Sequence, residues 1–130
     1  MTERQLVPTD RPWAKVVGYS RAVRVGNVVE VCGMAAAAPD GEILHPGDVE
    51  GQAREALRTI GQALEEAGAS FADVVRTRIY LADASTWEAA GRAHAEVFRE
   101  IRPATTAIAV NGFVDPRILV EIEATAILQA

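Results

Sequence analysis

Cysteine occurs once in the 130 residues, at Cys32, which rules out an internal disulfide and leaves no cysteine-based metal framework. Histidine occurs twice, at His45 and His94, with no spacing that suits a metal site, so neither metal nor cofactor is expected. Positive charge is also scarce: 13 Lys and Arg stand against 18 Asp and Glu, for a net charge of −5 and a pI near 5.0. Phosphate backbones need a concentrated basic surface, so a nucleic-acid partner is not expected. Nor is there an apolar run long enough to span a bilayer, which removes a membrane partner from the expectations. The first ten residues carry Glu3, Arg4 and Asp10 where a secretory signal has a basic and then an apolar stretch. With one cysteine and no visible export signal, the expected location is cytoplasmic.

What remains is ordinary globular composition, 49% hydrophobic and 24% charged, in a length that suits one domain covering residues 1–130. Internal repeats and Gly/Ser linkers are absent. Valine-rich runs at Arg21–Val25 and Val28–Met34, separated by Gly26-Asn27, predict a β-hairpin. Pro39-Asp40-Gly41 and Pro46-Gly47 mark a loop, after which Asp48 can cap a helix. That helix is predicted over Val49–Ala67, because Ala53, Leu57, Ile60, Leu64 and Ala67 recur at three- and four-residue spacing before Gly68. Val74–Leu81 reads as a strand, with Val75, Thr77, Ile79 and Leu81 assigned to one face and Arg76, Arg78 and Tyr80 to the other. Helical spacing returns over Ser85–Glu100 through Trp87, Ala90, His94, Val97 and Phe98, with Ser85 as the expected cap. Thr105–Asn111 and Leu119–Leu128 complete a ββαβαββ order: an α+β fold with one sheet and two helices on one face.

Alternation along the strands divides this sheet into two faces. One collects Val29, Val31, Ile79, Ile108, Val110, Val120, Ile122 and Leu128, and is expected to pack under the helices. The other collects Glu30, Cys32, Arg76, Arg78, Thr105, Ala107, Glu121 and Glu123, too polar for a core. Two accounts of that face stay open: a solvated side of an antiparallel sheet, or a subunit interface in which Arg and Glu pair across chains and small residues such as Ala107 leave room for a pocket.

Several strings at these positions resemble the reactive intermediate deaminase (RidA/YjgF) family, from about Trp13 to Leu128. They are Gly18-Tyr19-Ser20-Arg21-Ala22-Val23, Val25-Gly26-Asn27, Cys32-Gly33, Gln52, the strand from Asp73 to Leu81, Arg102-Pro103-Ala104-Thr105-Thr106, and Val120-Glu121-Ile122-Glu123-Ala124. The resemblance implies a chorismate-mutase-like homotrimer with three sheets facing inward and a small-molecule pocket at each subunit boundary. It implies hydrolysis of enamines and imines to a carbonyl compound and ammonia, a deaminase-type reaction that needs a positioned water and a carboxyl group to move the proton.

Carried over by the same resemblance, Glu121 and Tyr19 match the catalytic carboxylate and the pocket tyrosine. Gly33 keeps the backbone position beside the pocket, where its N–H can donate to a substrate oxygen. Cys32 stands where serine is common, and its expected role is to line the pocket. Thr105 stands where typical deaminases have an arginine that clamps the substrate carboxylate, so a substrate different from 2-imino acids is expected. Gly91 replaces a common asparagine and His94 a common tyrosine. Cys32, Gly33, Thr105, Ala107, Gly91 and His94 therefore make up the expected substrate-binding set. A non-catalytic metabolite-binding or regulatory trimer is the alternative, and a ribonuclease, a label family members have carried, fits the acidic chain least.

Overall fold

The computed structural model describes residues 3–129. The hairpin forms as the valine runs dictate: β2 (Ala22–Val25) pairs antiparallel with β3 (Val28–Met34), and the two-residue link is eased by Gly26 at φ +62°. Two elements precede it that the sequence reading did not anticipate, the edge strand β1 (Arg4–Val7) against β2 and the single turn α1 (Ala14–Val17). Both are too short to show a period, and β1 buries only Val7.

Helix α2 (Val49–Glu66) starts where Asp48 accepts a hydrogen bond from the Gly51 N–H at 2.9 Å. It ends at Gly68, whose φ of +86° lets the Ala69 N–H return to the Leu64 carbonyl. Its apolar stripe, Ala53, Leu57, Ile60 and Leu64, is buried against Val29, Val31, Ile79, Val120 and Ile122 of the sheet, which forms the core. Helix α3 (Trp87–Phe98) packs beside α2 on the same sheet face. Its start differs from expectation. Asp83, not Ser85, supplies the cap, accepting from the Ser85 N–H in a short 3-10 turn over Ala84–Thr86, and Trp87 points outward, 59% exposed.

Strands β4 (Val74–Leu81), β5 (Ala104–Ala109) and β6 (Val120–Ile127) complete one six-stranded sheet in the order β1-β2-β3-β6-β4-β5. The fold is thus α+β, with the longer helices on one face. Among the described residues no helix is long and apolar enough to cross a membrane.

Register corrects the face assignment in three places. Between Val74 and Arg76 the β4–β6 pairing shifts by a residue, so Val75 turns outward while Thr77, Ile79 and Leu81 stay buried. Strand β5 runs parallel to β4 with Thr105 beside Thr77 and Ala107 beside Ile79. Both therefore lie on the helix side, and not with Glu121 as alternation suggested. Ile108 lies beside Tyr80 on the opposite side and is 50% exposed, so it is not core. All six residues of β5 are exposed. On an edge strand with no buried side, hydrophobicity carries no information about which way a residue points.

Candidate functional site

The site begins with an irregularity in β3. Between Val31 and Met34 the strand advances three residues while β6 advances two, from Ala124 to Ile122, so Cys32 and Gly33 together oppose Glu123. This β-bulge turns the backbone at Gly33 toward β6. A Cβ placed on Gly33 would lie 2.8 Å from Oε1 of Glu121. The carboxylate thus occupies the space that glycine leaves open, and the Cys32-Gly33 pair is the sequence signature of that closeness.

Glu121 faces a cavity of about 300 Å³ whose wall also includes Arg11, Trp13, Tyr19, Cys32, Gly33, Val114 and Glu123. Burial, and secondarily the charge of Glu123, push the Glu121 carboxyl above the usual glutamate range. Among the described residues nothing hydrogen-bonds to its carboxylate oxygens. Glu123, two residues on and on the same face, is held differently: it accepts a hydrogen bond from the Tyr80 hydroxyl at 2.7 Å and lies 3.7 Å from Nε of Arg78. Of two like-charged neighbours, one is tied to protein donors and the other is left free for a ligand or water, a division that suits acid/base work.

Burial likewise raises the pKa of Tyr19, keeping its phenol a hydrogen-bond donor. The Cys32 thiol is pushed up to about 11, chiefly by burial, and the neighbouring Arg21 only partly opposes this. A thiol held protonated is a poor nucleophile, so Cys32 lines the cavity as a small apolar group. Among the described residues no cluster of His, Cys, Asp and Glu could hold a metal ion.

The remaining sequence candidates lie elsewhere. His94 accepts or donates a 2.8 Å hydrogen bond with Thr77 Oγ1, which in turn lies 2.7 Å from Thr105 Oγ1, and its ring packs 4.6 Å from that of Phe98. Burial lowers the His94 pKa. This is a polar link between α3, β4 and β5 on the helix side of the sheet. Gly91 lies on the outer side of α3 in an open cleft with Trp87, Arg92 and Arg99. Within one chain, then, Tyr19, Cys32, Gly33 and Glu121 come together, while Thr105, Ala107, Gly91 and His94 do not join them. Cavity-wall residues that sequence reasoning did not single out include Arg11, Trp13 and Val114. All three sit outside the helices and strands, where no periodicity points to a role, although Trp13 marks the start of the family-like stretch.

The Gly33 geometry gives a direct prediction. Gly33→Ala is expected to leave thermal stability nearly unchanged, because the atom it meets is the free end of a flexible side chain. Displacing that carboxylate by about 1 Å is expected to lower kcat/KM for any reaction it serves by ~10- to 100-fold. Circular dichroism melts alongside steady-state kinetics check both halves.

A family model described as Endoribonuclease L-PSP matches residues 9–128. A solved structure from Mycobacterium tuberculosis, described as a member of the highly conserved YjgF/YER057c/UK114 family, is 44% identical and superposes with a TM-score of 0.88, covering 97% of this chain and 100% of that one. The 3-aminoacrylate deaminase RutC of Acinetobacter baylyi is 33% identical over 97% of this chain and 98% of its own length. The 2-iminobutanoate/2-iminopropanoate deaminase of Mus musculus is 33% identical over 95% of this chain and 91% of its own.

Proposed function

Because the chain belongs to the Endoribonuclease L-PSP (YjgF/RidA) family, we propose that the Glu121 cavity is the active site of an imine and enamine hydrolase. The observation that carries this is the unpaired, partly buried carboxylate of Glu121 packed over Gly33 at the bulge. Relatives named as deaminases of an enamine and of two imines support the reaction class.

The chemistry asks for one group that can take a proton and give it back. Glu121, as carboxylate, accepts a proton from a water that attacks the imine carbon, and a carbon–oxygen bond forms as the C=N π electrons move to nitrogen. The carboxylic acid then delivers that proton to the nitrogen of the carbinolamine. The carboxylate next takes the hydroxyl proton of the carbinolamine and passes it to the amine nitrogen as the C–N bond breaks and the carbonyl forms, so ammonia departs and imine plus water become carbonyl compound plus ammonia with no redox change. An enamine enters the same path after protonation at carbon. The raised pKa brings the acid and base forms of Glu121 closer to each other in energy near neutral pH, which favours a group that must serve as both. Tyr19 supplies a hydroxyl donor on the same wall.

The proposal includes assembly into a homotrimer with three sheets facing inward, the whole chain acting as one domain. Supporting it, every residue of β5 is exposed, and Val16, Val17, Ile108 and Val114 present apolar side chains to solvent. In a trimer, Thr105 and Ala107 on the helix side of this edge would meet a neighbouring copy's cavity and not their own. Sedimentation at three times the 13.9 kDa chain mass is the expected result.

A ribonuclease reading, which the family description brings to mind, fits less well. Two carboxylates line the cavity, and the chain's net charge of −5 disfavours a phosphodiester.

The deciding experiment follows ammonia release from 2-iminopropanoate and 3-aminoacrylate generated in the assay by an upstream enzyme. Acceleration of either over the uncatalysed rate supports the hydrolase. No acceleration of either contradicts it, and a saturable ligand in that case would identify the alternative, a metabolite-binding trimer without turnover.

A further inference from the structure

We infer that Arg11 is the specificity-determining residue of the cavity, its guanidinium binding a carboxylate that the substrate carries beside the carbon attacked by water. The inference rests on the hydrolase reading, adds the substrate's charge to it, and departs from the expectation drawn from Thr105, since it places the carboxylate-binding arginine in the β1–α1 loop and not on β5. Arg11 lies in the loop between β1 and α1 and lines the cavity wall together with Tyr19, Glu121 and Glu123. Among the described residues it is the one lysine or arginine that does so.

Three features of Arg11 point to a ligand. Its side chain is only 12% exposed, so the cation is largely withdrawn from water, where a charge-assisted hydrogen bond gains strength. Its Nη1 donates to Asp10, whose carboxylate is 55% exposed and also accepts from Arg21 at 3.1 Å. Asp10 thus steadies the guanidinium from the solvent side while divided between two arginines. Finally, among the described residues Nε and Nη2 of Arg11 have no partner, and no ion pair joins Arg11 to Glu121 or Glu123, although all three line one cavity. Nε and Nη2 form the side edge of the guanidinium, two parallel donors in a rigid plane that match the two oxygens of a carboxylate.

Charge balance in the cavity leads the same way. Two glutamates line it and oppose a polyanion such as a phosphodiester chain, so a single substrate carboxylate can enter their field only where a cation compensates it. Arg78 does not fill that role, since it lies against Glu123 and outside the lining. Arg21 also lies outside the lining, with its Nη2 on Thr9 and Asp10, which leaves Arg11.

The test is binding of pyruvate and of its neutral amide, pyruvamide, measured by calorimetry with wild type, Arg11→Gln, Arg11→Lys and Glu121→Gln. Wild type is expected to prefer pyruvate. Arg11→Gln is expected to weaken pyruvate by about tenfold or more, the worth of a hydrogen bond to a charged group, while leaving pyruvamide unchanged. Arg11→Lys, with charge but no planar fork, should fall between them. Pyruvate binding that is undetectable in wild type, or that Arg11→Gln leaves intact, overturns the assignment. Because these are binding measurements, they are separate from the hydrolase reading, whose failure is the absence of any acceleration of imine or enamine hydrolysis by the wild-type protein. Unchanged melting of the Arg11 variants excludes misfolding as the cause.

Discussion

Glu121→Gln is expected to lower kcat/KM for imine hydrolysis by about 100-fold or more, the usual contribution of a positioned acid/base group being ~10²- to 10⁴-fold. Glutamine keeps the size and polarity of the side chain and loses the ability to exchange a proton, so binding of a neutral ligand should survive. Stability moves the other way. The Glu121 carboxyl titrates above its ordinary range in the folded protein because burial and then Glu123 disfavour its charge. Below the unfolded pKa both states hold the proton and no penalty applies. As pH rises through the folded pKa the folded state carries a charge that the unfolded state carries more easily, and stability falls. At neutral pH the glutamine variant is therefore expected to melt at the same temperature as wild type or higher. Loss of activity with no loss of stability separates a catalytic carboxylate from a structural one, and thermal melts paired with ammonia-release kinetics measure both.

Gln52→Leu is expected to have the largest effect on stability. Gln52 is fully buried in the first turn of α2, and its amide is used at both ends. Nε2 donates to the Arg117 carbonyl at 3.0 Å and to the His45 carbonyl at 3.3 Å, while Oε1 accepts from the Leu119 N–H at 2.8 Å. Leucine fills the volume but strands backbone groups that are closed off from water, each costing about 1–3 kcal/mol. A loss of roughly 3 kcal/mol or more in urea unfolding is expected. The bonds to Arg117 and Leu119 tie α2 to the chain just before β6, the strand that carries Glu121. The variant that remains folded should therefore also show a reduced kcat, which a purely global weakening would not produce.

How much of this was legible in the residues depends on where information about orientation resides. The α2 stripe from Ala53 to Leu64 and the β3 and β6 alternations were readable because one side of each element is buried and the other is not. The β5 orientation was not readable, since Ala104–Ala109 is exposed on both sides and its register is set by the parallel partner β4, remote from any local signal. For the same reason Thr105 and Ala107 were assigned to the wrong face. Strand β1 and helix α1 were missed because four residues show no period.

In the site, Tyr19, Cys32, Gly33 and Glu121 were found through the family-like strings, but the bulge that explains Gly33 depends on pairing with β6 and so appears only in three dimensions. Arg11 lies in a Pro- and Asp-containing loop that sequence alone reads as punctuation, and its burial comes from contacts that no pattern encodes.

The most direct test of the central claim is the pH dependence of kcat/KM for 2-iminopropanoate hydrolysis by the wild-type protein, with Glu121→Gln measured alongside. Activity is expected to rise with pH through an ionisation above the ordinary glutamate value of 4.5, and that limb should be absent from the residual activity of the glutamine variant. An acid limb of equal size and position in both proteins would show that Glu121 is not the group that moves the proton.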